Sequence, residues 1–147
     1  MALTNDAQPA IGASATAAIV VTEADLADKV VFAPGDVFPA VYATSRMVAL
    51  MEVAAARVMR PFLAPGEHSV GVTVDIEHIA PTPPGARVSA EARFLGREGK
   101  LYLFEVIAHD ESGMIGKGRH KRAVVDAQRL QARAKERRGK SASSSTA

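Results

Sequence analysis

Residues Met47–Met59 read MVALMEVAAARVM, and this stretch decides the fold. Eleven of its thirteen residues are apolar and they fall on every side of the helical wheel, which predicts a largely buried helix. The helix is expected from about Thr44 to Arg60, with Thr44 or Ser45 as N-cap and Pro61 helping to end it. Glu52 stands alone in this run. Its neighbours at three and four residues are Val48, Ala49, Ala55 and Ala56, none able to form a helical ion pair. A carboxylate in apolar surroundings is costly unless bonded, so Glu52 is a functional acid, or it marks a point where the helix surfaces, or it is paired across the fold.

Beyond the loop 61–67 the hydrophobic period changes from 3.6 to 2. Val70, Val72, Val74, Ile76 and His78 alternate with Gly71, Thr73, Asp75 and Glu77, which reads as a strand with His78 on its apolar face. A turn at ThrProProGly (82–85) leads to Arg87–Leu95, where Val88, Ala90, Ala92 and Phe94 share one face. ArgGluGlyLys (97–100) is a hairpin turn, Leu101–His109 an apolar strand, and Met114–Val125 a last strand after GluSerGly (111–113). On the N-terminal side Ala17–Thr22 is a short strand. Residues 23–39, punctuated by Pro34, Gly35 and Pro39, read as an irregular covering segment.

One strand, one apolar helix and four turn-linked strands describe an α+β domain in which an antiparallel sheet wraps a long apolar central helix. That is a hotdog-like layout, and hotdog domains usually pair into homodimers. The expected organisation is a mobile segment over 1–16, the hotdog domain over 17–127, and a basic, Ser-rich tail over 128–147. Gln128–Arg138 can form a charged helix, and the final SASSSTA is low in complexity and expected to be disordered.

At 147 residues the chain supports one core, and 48% apolar with 23% charged residues is ordinary for a soluble globular protein. The absence of cysteine excludes disulfides, thiolate metal sites and a Cys nucleophile, and fits a cytoplasmic location. No run approaches the roughly 20 apolar residues of a membrane span, and the N-terminus lacks the basic start of a signal peptide. The formal charge of +2 conceals a division. The tail carries six basic residues against Glu136, leaving residues 1–127 at −3. The tail has no interleaved aromatics, so nucleic-acid binding by stacking is poorly supported. There is no phosphate loop and no nucleophile elbow.

Three groups could carry chemistry: Glu52, His78 at a core-facing strand end, and Thr44 near the helix start, where free N–H groups favour developing negative charge. A carboxylate, an imidazole and a hydroxyl suffice for acyl transfer or hydrolysis. Each also has an ordinary structural explanation: an ion pair, a hydrogen-bonded strand-end histidine, an N-cap. His68, His109 and His120 carry no such parity argument and are read as surface residues. Asp75 and Glu77 alternate with His78 and so lie on the opposite strand face, which argues against a metal site.

VYAT (41–44), MVALME (47–52), PGEHSVG (65–71) and EHIAPTPPG (77–85), with AHD (108–110) and GRHKRAV (118–124), resemble the fluoroacetyl-CoA thioesterase family over roughly residues 17–130. The resemblance implies a Thr/Glu/His constellation of Thr44, Glu52 and His78. It also implies Gly71 near the acyl pocket, Arg122 helping to hold the pocket or the CoA, and Phe38 as a lid aromatic. A second lid aromatic is replaced near Gly35, and Phe32 is positioned to substitute for it. The implied reaction is hydrolysis of a short-chain acyl-CoA, with no cofactor because CoA is part of the substrate, and with Glu52 as general base or as nucleophile. The competing readings are a non-catalytic acyl-CoA binding or sensing protein on the same fold, and a structural or regulatory oligomer acting through the basic tail.

Overall fold

The structure, a computed structural model, describes residues 7–144. Five strands form one antiparallel sheet: β1 (Ser14–Val20), β2 (Glu67–His78), β3 (Arg87–Glu98), β4 (Leu101–Asp110) and β5 (Gly113–Asp126), in the spatial order β1-β3-β4-β5-β2. The helix α1 (Thr44–Met59) packs on the inner face of this sheet, and α2 (Ala127–Ser144) follows β5. This is the hotdog arrangement expected from the sequence.

Alternation selects the inner face. Val88, Ala90, Ala92 and Phe94 of β3 and Tyr102, Phe104, Val106 and Ala108 of β4 are all buried. The alanines let α1 approach closely, and Met47, Met51 and Met59 fill the space left around them. Phe94 and Phe104 pack with ring centroids 5.6 Å apart. Val53 of α1 is 43% exposed, so the helix shows one side to solvent although the sequence reads as apolar all round.

Several boundaries differ from the sequence reading. The first strand is Ser14–Val20 rather than Ala17–Thr22, because it is set by pairing of Ser14–Val20 with Arg87–Arg93. Thus part of the segment expected to be mobile is sheet, and residues 1–6 lie outside the described residues. The covering segment contains two short 3-10 turns, Glu23–Asp25 and Ala27–Lys29. The C-terminal helix runs on through Ser144, taking in the start of the Ser-rich stretch expected to be disordered. Residues 145–147 lie outside the described residues.

The most consequential difference is in β2. Its register with β5 shifts between Gly71 and Thr73, so strict alternation fails there. From Val74 onward the even residues share a face with the buried side of β5, as expected, and His78 pairs with Gly116. Before the shift the odd residues do: Gly71 pairs with Arg122 and Ser69 with Val124. Val70 and Val72 are therefore not on the inner face, and Gly71 is.

Candidate active site

Thr44 is the first residue of α1, and the N-cap is Ala43, with no side-chain cap. The Thr44 hydroxyl is therefore not the N-cap that the sequence suggested. It meets His78 Nδ1 across the fold at 2.7 Å. The two residues are 34 positions apart and are joined because β2 ends beside the start of α1. His78 Nε2 is buried without a protein partner, leaving one ring nitrogen free to handle a proton. Burial pulls the His78 pKa below the ordinary histidine value, with the Ala80 backbone opposing the shift. The ring is thus neutral near neutral pH.

Thr44 and His78 open on a cleft of about 410 Å³ that is also lined by Phe38, Tyr42 and Ile79. Phe38 reaches the cleft. Phe32 does not: it is 92% exposed and lies outside the lining. The Asp36 carboxylate accepts the backbone N–H groups of Phe32 and Ala33, closing a tight turn that holds the Phe32 backbone at the surface.

Glu52 lies eight residues along α1 from Thr44, roughly 12 Å at 1.5 Å per residue, and does not line this cleft. It is also not the fully buried acid expected from its neighbours, since its side chain is 39% exposed. The carboxylate has a partner across the fold: Arg122 Nη1 lies 3.4 Å from Glu52 Oε1. Gly71 sits directly against it. A methyl group at Gly71 would collide with Glu52 Oε1 and come within 3.3 Å of His120 Cε1.

Arg122 is only 6% exposed, and protein groups engage its whole guanidinium. Nε donates to Ser69 Oγ at 3.0 Å, Nη2 to the Ser69 carbonyl at 2.7 Å, and Nη1 faces both Glu52 and His120 Nε2. Its contacts are thus with the pocket frame. His120 corrects the sequence reading most sharply. It is 1% exposed, not a surface residue, because it shares the inner face of β5 with Arg122 and pairs with the buried Phe104 of β4. A signal was present in the sequence: His120 is two residues from Arg122 on one strand, so whatever buries one buries the other.

The structure therefore joins the expected residues in two groups. Thr44, His78 and Phe38 form one, and Glu52, Gly71 and Arg122 the other. A further depression of about 350 Å³ on the outer sheet face, among Asp75, Glu77, Lys117 and Arg119, contains none of them. Among the described residues no cluster of three or more His, Asp or Glu could hold a metal ion.

A family model for fluoroacetyl-CoA-specific thioesterases matches residues 21–128. The chain belongs to the fluoroacetyl-CoA-specific thioesterase family. A curated relative, the fluoroacetyl-CoA thioesterase of Streptantibioticus cattleyicolor, is 42% identical over 100 residues, covering 68% of this chain and 72% of the relative. A solved fluoroacetyl-CoA thioesterase superposes with a TM-score of 0.82 at 36% identity, over 86% of this chain and 96% of that one. A thioesterase superfamily member from Thermus thermophilus superposes with a TM-score of 0.77 at 35% identity, over 87% and 94% of the two chains. As a fluoroacetyl-CoA-specific thioesterase family member on a hotdog fold, the protein is an acyl-CoA thioesterase. No described helix is long and apolar enough to cross a membrane.

Proposed function

We infer that this thioesterase hydrolyses a short-chain acyl-CoA with Thr44, Glu52 and His78 as its reacting groups. The carrying observation is the Thr44–His78 bond at 2.7 Å on the edge of the Phe38 cleft, with His78 Nε2 left free. A half-buried neutral imidazole can pass a proton, and a hydroxyl beside it can orient the thioester carbonyl. Glu52, as general base, removes a proton from water as its oxygen bonds to the acyl carbon. The carbon–sulfur bond then breaks, and the proton taken up by Glu52 passes by way of His78 Nε2 to the departing CoA thiolate, which returns both groups to their starting states. If Glu52 is instead the nucleophile, an acyl–carboxylate anhydride forms first and water opens it. Heavy oxygen found in the Glu52 carboxylate after single-turnover hydrolysis in heavy-oxygen water would establish an anhydride opened at the glutamyl carbonyl, since the general-base route leaves that carboxylate unlabelled. Side chains and water are sufficient for either route, and CoA enters as part of the substrate. The cysteine-free chain fits a cytoplasmic site for this reaction.

The separation of Glu52 from His78 along α1 has a natural resolution in a homodimer. β2 is one of the two edge strands of the sheet, with Val72 51% and Val74 43% exposed. An unpaired apolar edge strand is a template for another strand. Antiparallel pairing of two β2 strands about a two-fold axis would set the His78 end of one strand beside the Gly71 end of the other. Each active site would then combine His78 and Thr44 of one protomer with Glu52 of its partner.

The test is a panel of acyl-CoAs from acetyl, fluoroacetyl and propionyl to longer and aromatic groups, with released thiol read by a reactive dye. Wild type should release CoA, with E52Q losing most turnover while remaining folded. Near-wild-type kcat in E52Q would remove Glu52 from the mechanism, and saturable binding without release would favour the binding-protein reading. Mixing E52Q with H78A protomers, each inactive alone, should restore turnover if the site is shared between subunits. No restoration in demonstrated mixed dimers would place the site within one chain.

A further inference from the structure

The strand-borne cluster behind Glu52 has a defined direction. His120 Nδ1 is 2.8 Å from the Thr73 carbonyl, an oxygen that can only accept. Nδ1 therefore carries the hydrogen. His120 Nε2 is 3.0 Å from Arg122 Nη1, and a guanidinium can only donate. Nε2 therefore carries the lone pair. The two contacts select one neutral tautomer from the forms open to a histidine. A proton added at Nε2 would set N–H against N–H in a buried site.

The Arg122 fork is correspondingly fixed. Ser69 holds Nε and Nη2, at 3.0 Å to the hydroxyl and 2.7 Å to the carbonyl. Only Nη1 remains to reach Glu52, and it is shared with His120. The shorter contact is to the histidine at 3.0 Å, and the longer is to the carboxylate at 3.4 Å. The acceptor of the cation's best-formed Nη1 bond is therefore the ring, not the acid.

We propose that His120 is a positioning residue for Glu52: as a neutral acceptor it anchors Arg122 Nη1, so that the guanidinium steers the Glu52 carboxylate without closing on it. Glu52 is kept beside Gly71 and only loosely paired, in a geometry that leaves it able to act on water. Without the ring acceptor, Nη1 has only the carboxylate to satisfy it. The ion pair then shortens, and the acid is drawn off its working position. This rests on the reading that Glu52 is the reacting acid.

Two substitutions separate the acceptor from the bulk of the ring, which also packs against Phe104 with centroids 6.4 Å apart. His120→Leu keeps an apolar side chain there and removes the acceptor. His120→Gln keeps a neutral carbonyl acceptor within reach of Arg122. A displacement of about 1 Å at a reacting group costs up to ~10²-fold in rate. H120L should accordingly lower kcat by at least ~10-fold with KM changed less than ~3-fold, and H120Q should recover kcat to within ~3-fold of wild type. In an E52Q background, H120L should lower the residual rate no further. Nitrogen NMR of the wild type should show His120 as the neutral Nδ1–H tautomer at neutral pH. Wild-type kcat in H120L, equal loss in H120L and H120Q, or an Nε2–H tautomer would each overturn the proposal, as would an additive loss in the double variant. If E52Q itself retains full turnover, the assignment of Glu52 fails and this inference with it. If E52Q is inactive but H120L is normal, only the role of His120 fails.

Discussion

Gly71→Ala offers a sharp test of the geometry, because it should affect catalysis and stability in opposite directions. Gly71 does not have a positive φ, so its backbone conformation is open to alanine. Fewer unfolded conformations alone would stabilise the variant by about 0.4–1 kcal/mol. The new methyl group meets Glu52 Oε1 at an impossible separation, and His120 Cε1 at 3.3 Å. Glu52 Oε1 is the far end of a flexible, partly exposed side chain, so it can swing away at little cost to the fold. It must move by about 1 Å to restore van der Waals contact, and a shift of that size at a reacting group is worth up to ~10²-fold in rate. The 3.4 Å contact to Arg122 is disturbed by the same movement. The expected result is a kcat lowered by ~30- to 100-fold, with a Tm unchanged or raised by a few degrees. Steady-state release of CoA and a thermal melt on the same preparation measure both. Wild-type kcat in a folded G71A protein would refute the placement of Glu52 at the reaction. A large fall in Tm would instead show that the glycine is required by packing.

Gly118→Ala places its methyl against the Asp75 carbonyl, 2.6 Å from Ile76 Cα and 2.8 Å from its Cγ2, so β5 and β2 must part and stability should fall by about 1–3 kcal/mol in denaturant unfolding. An unchanged midpoint would mean that the two strands are less tightly joined than described. Thr44→Val removes the hydroxyl bound to His78 while keeping its shape; kcat should fall at least ~10-fold with the melt unaltered, and an unaltered kcat would make the Thr44–His78 bond structural. His78 and His120 both lie below the ordinary histidine value of 6.5, chiefly through burial. The unfolded chain therefore binds protons more readily than the folded one between their folded pKa values and 6.5, so their stabilising contribution is complete above 6.5 and declines as pH falls below it. Melts between about pH 7 and about pH 5 should show Tm falling, with a shallower slope in H120L; a flat profile, or one rising toward acid, would contradict the burial of these rings.

Residues Thr44 and His78 were legible as candidates because each sat at a recognisable boundary, a helix start and the end of an alternating strand. Glu52 was legible because nothing within a helical turn could pair with it. Its partner was not, because Arg122 lies 70 residues away. The family resemblance named Gly71 and Arg122 as pocket residues but not what they touch. His120 was misread because parity along β5 says only which residues share a face, not which face is buried.

The sequence by itself determined the order of elements, the apolar helix, the turns, the buried face of β3 and the basic C-terminal segment. All of these are written in local periodicity and turn chemistry, which act within a few residues. Tertiary structure alone decided the register shift at Gly71 and Thr73, the burial of His120 with Arg122, the Arg122–Glu52 contact and the distance between Glu52 and His78. Those depend on how β2 lies against β5 and where α1 crosses the sheet. A single shifted residue in one strand pair, which leaves no mark in its own alternation, turns Gly71 toward Glu52 and so builds the wall of the site.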